Sequence, residues 1–209
     1  MYNEQETRTI TVFGEGAVKV SPTTVHIVLS VTSRGAELEE IQQENARRMN
    51  QVVQSLQKAG ISESSIQTID FQIRPVYEYV NGEQRFQGYE VINSIRITSN
   101  ELSRTGELVD LAVKNGANQI GSIEFTMPDQ DEQYQQALIL ALQDAETKMI
   151  TIGTSLKLQN RPIPLKIEEQ HTSQPVAFRA MALADTSRTP IESGTITISA
   201  SLQVKYQII

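Results

Sequence analysis

Two stretches in which apolar and polar residues alternate open this chain, TITVFGEGAVKV at 9–20 and TTVHIVLSVTS at 23–33, separated by Ser21-Pro22. Such alternation predicts two consecutive strands. In the second, Val25, Ile27, Leu29 and Val31 share one face because side chains alternate across a strand. This set is expected in the core, with His26, Val28, Ser30 and Thr32 on the other face. From 36 to 59 the period changes: Leu38, Ile41, Met49, Val52 and Leu56 recur in steps of three, four or their sums, the stripe of an amphipathic helix. Gly60 ends it. Glu37, Glu39 and Glu40 near its start, Lys58 near its end and the i,i+4 pair Glu44–Arg48 suit the helix dipole and a solvated outer face.

Next come SIQTIDFQIRPVYEYV and EQRFQGYEVINSIRIT on either side of Asn81-Gly82. That dipeptide predicts a two-residue hairpin turn, since both positions accept positive φ. Counting outward from the turn sets Pro75, which has no N–H, opposite Gly88, which has no side chain. The ladder is expected to bend, bulge or break there. Arms of roughly 15 residues exceed the usual ~5 to 6, so the distal half of the hairpin, at about 66–97, is expected to project as a ribbon. Further helices are predicted at about 101–115 and 130–152, the second capped by Asp129 and striped by Tyr134, Leu138, Ala141, Ala145, Met149 and Ile152. QIGSIEFTM between them reads as a short strand. Ile66, Ile69 and Phe71 after Gly60 are echoed by Ile120, Ile123 and Phe125 after Gly116. Chance, a shared helix-to-strand solution and duplication each account for the echo. A strand at about 163–169 and a final one, TITISASLQVKY, complete the pattern; Ile196, Ile198, Ala200, Leu202, Val204 and Tyr206 share a face of the latter. Residues 170–192 follow neither period and are expected to form a long functional loop. The expected fold is α+β, an antiparallel sheet packed against amphipathic helices, in one domain spanning 1–209.

Composition narrows the chemistry. The chain of 209 residues carries 18 Lys+Arg against 25 Asp+Glu, a net charge of −7, with no basic run, which argues against nucleic acid or an anionic membrane as partner. The absence of cysteine removes disulfides, thiolate metal sites and thiol nucleophiles. No apolar run long enough to span a bilayer occurs, and the N-terminus lacks the basic start and apolar stretch of an export signal. As it stands the sequence is expected in the cytoplasm, or in the cell envelope or secreted where an export signal precedes it. His26 and His171 are the only histidines, and both are expected at the surface. No G-x-S-x-G elbow occurs. DQDE at 129–132 places Tyr134 where a calcium loop needs glycine, so helix capping accounts for it. GEG at 14–16 lacks the third glycine of a dinucleotide loop and reads as a bulge or bend. No catalytic, metal or cofactor-binding residue is assigned and no cofactor is expected. Among six tyrosines and five phenylalanines, Tyr77, Tyr79, Phe86 and Tyr89 cluster on the two arms of the hairpin. Cross-strand packing and a partner-binding surface both explain them.

The segments TITVFGEGAVKVSP, GISESSIQTIDFQIRPVYEY, GYEVINSIRI, ELVDLAVKNGANQIGSIEF and ALILALQDAETK resemble, in this order and spacing, successive blocks of the SIMPL-domain (DUF541) proteins, over roughly residues 8 to 206. Pro22-Thr23 replaces a frequent Pro-Asp, and KMITIG replaces an Ala-rich continuation. The resemblance implies a relation to bacterial envelope proteins linked to oxidative stress tolerance, to immunogenic outer-membrane-associated proteins and to an animal kinase-binding protein. It also implies assembly into rings in some members, and it supplies no agreed catalytic residues. The expected function is therefore a non-enzymatic module that self-assembles as a homo-oligomer or binds a protein partner. The alternative is a small-molecule binding protein or hydrolase, with a pocket near the 170–192 loop and His171, Glu168 and Arg179 beside it.

Overall fold

A computed structural model describes residues 8–170, 176–177 and 189–208. In order, the elements are β1 (Thr9–Val20), β2 (Thr24–Gly35), α1 (Leu38–Lys58), β3 (Ile66–Val80), β4 (Glu83–Ser99), α2 (Thr105–Lys114), β5 (Gln119–Thr126), α3 (Asp131–Ser155), β6 (Ile163–Gln170), β7 (Val176–Ala177) and β8 (Ile196–Gln207). The α+β reading holds, with the strands gathered into two antiparallel sheets. The chain divides into two compact units, one drawn from Met1–Ser21, Met127–Phe178 and Gly194–Ile209, the other from Pro22–Thr126 and Arg179–Ser193.

In the second unit the strands are ordered β3-β4-β2-β5. With α1 and α2 as the connections, this is the interlocked β-α-β-β-α-β arrangement of ferredoxin-like folds, in which each β-α-β half straddles a strand of the other. Val25, Ile27, Leu29 and Val31 are each 0% exposed, packed with Ile95 and Ile97 of β4, Met49, Val52 and Leu56 of α1, and Leu108, Val109 and Ala112 of α2. Both helices therefore lie on one face of the sheet. The gap in the predicted α1 stripe is filled by Asn45, fully buried, whose Nδ2 donates to the carbonyls of Val31 at 2.8 Å and Val91 at 3.2 Å.

The internal echo has a backbone basis. Gly60 and Gly116 both take positive φ, with Gly60 N donating to Gln57 O and Ile61 N to Leu56 O, and Gly116 N to Val113 O and Ala117 N to Ala112 O. Both helices thus end in the same Schellman cap and feed the same kind of element, an edge strand. The equivalent halves of the fold share one helix-to-strand solution.

In the first unit the order is β1-β8-β6, with β7 pairing β8 as well. β7 falls within the stretch expected to be loop, and the first residue of that stretch, Gln170, ends β6; residues 171–175 and 178–188, including His171 and Arg179, lie outside the described residues. α3 packs over β1 and β8. The inward set Ile196, Ile198, Ala200, Leu202, Val204 and Tyr206 is buried as expected. Two expectations are corrected here. GEG is not a bulge: β1 pairs β8 without interruption from Thr9↔Gln207 to Val20↔Ile196. Instead, a Cβ on Gly14 would stand 2.1 Å from Ala141 O and one on Gly16 2.1 Å from Ala137 O, so these glycines let α3 approach the sheet backbone to backbone. The N-cap of α3 is Gln130 and not Asp129, whose Oδ1 accepts from Asp131 N at 3.4 Å. The buried face of α3 runs through Ala137, Ala141, Ala145, Met149 and Gly153, leaving Ile152 37% exposed. Small residues are buried because the helix is drawn in close.

Candidate functional site

The hairpin of β3 and β4 turns at Asn81 and Gly82, with φ of 54° and 85°, so the predicted turn forms. From Val80↔Glu83 to Tyr77↔Phe86 the register follows the count from the turn. It then slips. Gln87 is an extra residue, and the next rungs are Val76↔Gly88 and Pro75↔Tyr89, so Pro75 does not face Gly88. The irregularity expected at this rung lies beside it, on the β4 strand, and Gly88 adopts a φ of 127°. A second extra residue, Ile69 on β3, restores the original count at Thr68↔Ile95. Between the two bulges every rung is displaced by one residue.

That displacement decides what each face of the hairpin carries. On the face shared with α1, β3 presents Phe71, Ile73, Pro75, Tyr77 and Tyr79. The first two pair with Asn93 and Val91. α1 packs over β2 and β4, and Val91 is 0% exposed, whereas Ile73 one strand outward is 40% exposed. Exposure continues along the strand: Phe71 50%, Tyr77 47%, Tyr79 73%, with Phe86 50% on β4. The Phe86 ring stands edge-on to Tyr77, with centroids 5.7 Å apart, and to Tyr89 at 5.1 Å. Phe86 and Tyr89, three residues apart, would lie on opposite faces of a regular strand; the extra residue Gln87 brings them together. Three of the four candidate aromatics thus form one cluster, and Tyr79 lies further out on the same strand face.

The opposite face carries chemistry that the count from the turn conceals. Arg34 of β2, Glu90 of β4 and Arg74 of β3 occupy one rung across three strands. Arg34 Nε donates to Glu90 Oε1 at 2.5 Å and Arg74 Nε to Oε2 at 2.5 Å. The Glu90 side chain is 1% exposed, while those of Arg34 and Arg74 are 69% and 59% exposed. Burial raises the Glu90 carboxyl, but hydrogen bonds and charge from the two guanidiniums outweigh it and hold the group below the ordinary carboxylate range. A count without the bulge would have set Ile73 opposite Glu90. The sequence signal for this site is therefore readable only once the bulge is known.

The remaining candidates resolve individually. His26 sits between two hydroxyls, Nδ1 3.0 Å from Thr98 Oγ1 and Nε2 3.3 Å from Thr126 Oγ1, tying β2 to the strands on either side. Glu168, exposed on β6, pairs with Lys166 at 2.7 Å. Among the described residues no group of three or more His, Asp or Glu is arranged to hold a metal ion, and no helix is long and apolar enough to cross a membrane. The first unit contains a groove of about 400 Å³ between α3 and β6, walled by Leu142, Met149, Ile163, Ile167 and Tyr206 with the Glu146–Arg161 ion pair.

The chain is 27% identical over 216 residues to the 26 kDa periplasmic immunogenic protein of Brucella melitensis, covering 95% of this chain and 84% of the relative. It is 22% identical over 199 residues to the uncharacterized protein YggE of Escherichia coli, covering 93% and 78%. A third relative, YggE of Edwardsiella ictaluri, is 24% identical over 148 residues, covering 68% and 62%. The sequence profile of SIMPL, described as a protein of unknown function (DUF541), matches residues 10–206, and the chain belongs to that family.

Proposed function

We propose that this protein is a non-enzymatic binding module of the cell envelope that associates, with copies of itself or with a protein partner, through the aromatic face of the β3–β4 hairpin. The carrying observation is the contiguous run of half-exposed Phe71, Ile73, Tyr77 and Phe86 with Tyr79 on the face where α1 covers only the neighbouring strands. At about 150 to 250 Å² per aromatic ring when buried, such a run approaches the largest apolar patch of an ordinary monomer, about 300 to 600 Å². Water is a poor solvent for it, and aromatic residues are the type enriched at interface centres. The envelope location is supported by the name of the Brucella relative, a periplasmic protein.

The test is mass in solution by light scattering across a range of concentrations, alongside capture of partners. The native chain is expected to form an oligomer whose mass does not change with concentration, or to hold a defined partner. The double variant Tyr77→Ser with Phe86→Ser, at half-exposed positions that the core does not use, is expected to lose that association while keeping its unfolding transition. A strict monomer at high concentration that captures nothing, or a variant that associates like the native chain, would sink the reading.

A further inference from the structure

We infer that Arg34 and Arg74, held in place by Glu90, form a binding site for a phosphate-type oxyanion on the face of the β3-β4-β2-β5 sheet opposite α1 and α2. This inference is independent of the aromatic face. A guanidinium carries five N–H donors in a fixed fork. Arg34 commits its Nε to Glu90 Oε1, and Arg74 commits its Nε, together with an Nη2 contact, to Oε2. Each fork keeps donors that do not face the carboxylate. The Glu90 side chain is 1% exposed and both arginine side chains are more than half exposed, so the arginines cover the carboxylate while themselves standing largely in solvent.

One cation is enough to balance the charge of one carboxylate. Here two share one, which leaves a surplus positive charge at this rung in a chain whose net charge is −7. The surplus is fixed in position. Glu90 is locked in the sheet between β2 and β3, and its two oxygens orient one guanidinium each, much as a buried partner orients a ligating side chain. An incoming oxyanion meets two forks already immobilised, so ordering two long side chains no longer opposes binding. The next rung on this face carries neutral groups, Gln72, Ile92 and Thr32. The nearest acids along β3 on this face, Asp70 and Glu78, each lie four residues from Arg74, roughly 13 Å away at ~3.3 Å per residue, and each accepts from a glutamine, Asp70 from Gln72 Nε2 at 3.2 Å and Glu78 from Gln87 Nε2 at 2.9 Å. A tetrahedral oxyanion matches two neighbouring forks, since it can offer a separate oxygen to each.

The experiment follows the arginine Nε–H resonances of the full chain by NMR during titration with inorganic phosphate at constant ionic strength, with chloride as control. The Arg34 and Arg74 signals are expected to shift together and saturate. Methyl phosphate in a parallel titration separates the two sources: tighter binding than phosphate assigns an esterified group, weaker binding the free ion. Arg34→Lys and Arg74→Lys keep the charge but lose the fork, and each is expected to weaken binding at least tenfold. Glu90→Gln decides between orientation and charge. If the carboxylate orients the forks, affinity falls; if only net charge matters, affinity rises, and the assignment of Glu90 fails. Thermal unfolding of each lysine variant verifies that it is folded. Shifts that do not saturate, that chloride reproduces, or that persist unchanged in both lysine variants would overturn the site.

Discussion

Lys157 follows the last turn of α3 with a φ of 55°, where a side chain crowds its own backbone. Its N–H donates to Thr154 O at 3.0 Å and Leu158 N to Gly153 O at 3.0 Å, the same cap that Gly60 and Gly116 provide for α1 and α2. Lys157→Gly is accordingly expected to stabilise the chain by about 1 kcal/mol, read as a higher midpoint in urea; a lower midpoint would contradict this account of the cap. Glu90 allows a second prediction at the same scale. Because its folded value lies below its unfolded one, the stability it contributes is complete above the unfolded value and is lost as pH falls through the folded one. Removing the carboxylate in Glu90→Gln is expected to cost on the order of 2 kcal/mol at neutral pH, less than a fully buried pair because both arginines face water. The gap to the native chain should close as the pH drops below roughly 4; a gap that stays constant to pH 2 would show that the charge is not what Glu90 contributes. Among single residues, legibility followed the kind of force involved. Val25 through Val31 were readable because apolar burial imposes a period. Asn45 was not, since a polar side chain buried on two carbonyls looks in sequence like a break in the stripe.

At the level of elements, the close approach of α3 to β1 depends on two missing side chains. Gly14→Ala would drive a methyl group to 2.1 Å from Ala141 O, a backbone atom that cannot rotate away. The expected cost is about 3 kcal/mol, visible in thermal unfolding, with Gly16→Ala behaving alike against Ala137 O; a loss well under 1 kcal/mol would mean that the helix shifts freely on the sheet. The sequence showed these glycines plainly but assigned them to a bulge, because glycine in a strand signals a bulge and a close backbone neighbour equally well. Strand and helix positions were otherwise legible. α1, β3 and the Asn81-Gly82 turn lie where period and turn chemistry put them. Register was legible near the turn and again from Thr68 to Ile66 but not between the bulges, because each bulge adds a residue without disturbing the alternation on the other strand.

For the molecule as a whole, the sequence suggested one sheet and the chain builds two, each with its own core. Alternation identifies strands but does not say which of them pair, and the partners of β1 lie at the far end of the chain. The second unit is nearly continuous in sequence, so residues 22–126 expressed alone are expected to fold cooperatively. They should be less stable than in the full chain, lacking the Thr189 hydroxyl that donates to Asp110 at 2.6 Å and Ile191 against the core. A broad, non-cooperative transition would show that this unit depends on the rest. The aromatic cluster was legible as composition and the arginine rung was not, and both trace to the same extra residue. Gln87 acts as a phase shift in an otherwise binary code of inward and outward positions. Deleting it should leave Val76↔Gly88 and Tyr77↔Phe86 facing as before and change stability by no more than about 1 kcal/mol, because a regular rung replaces an irregular one. Deleting Ile92 instead would invert every later position of β4 and turn Ile95 and Ile97 away from the helices. Among relatives, a one-residue length difference is therefore a neutral event at this point of the hairpin and a fatal one a few residues further along, which gives alignments of the family a fixed place to put the gap.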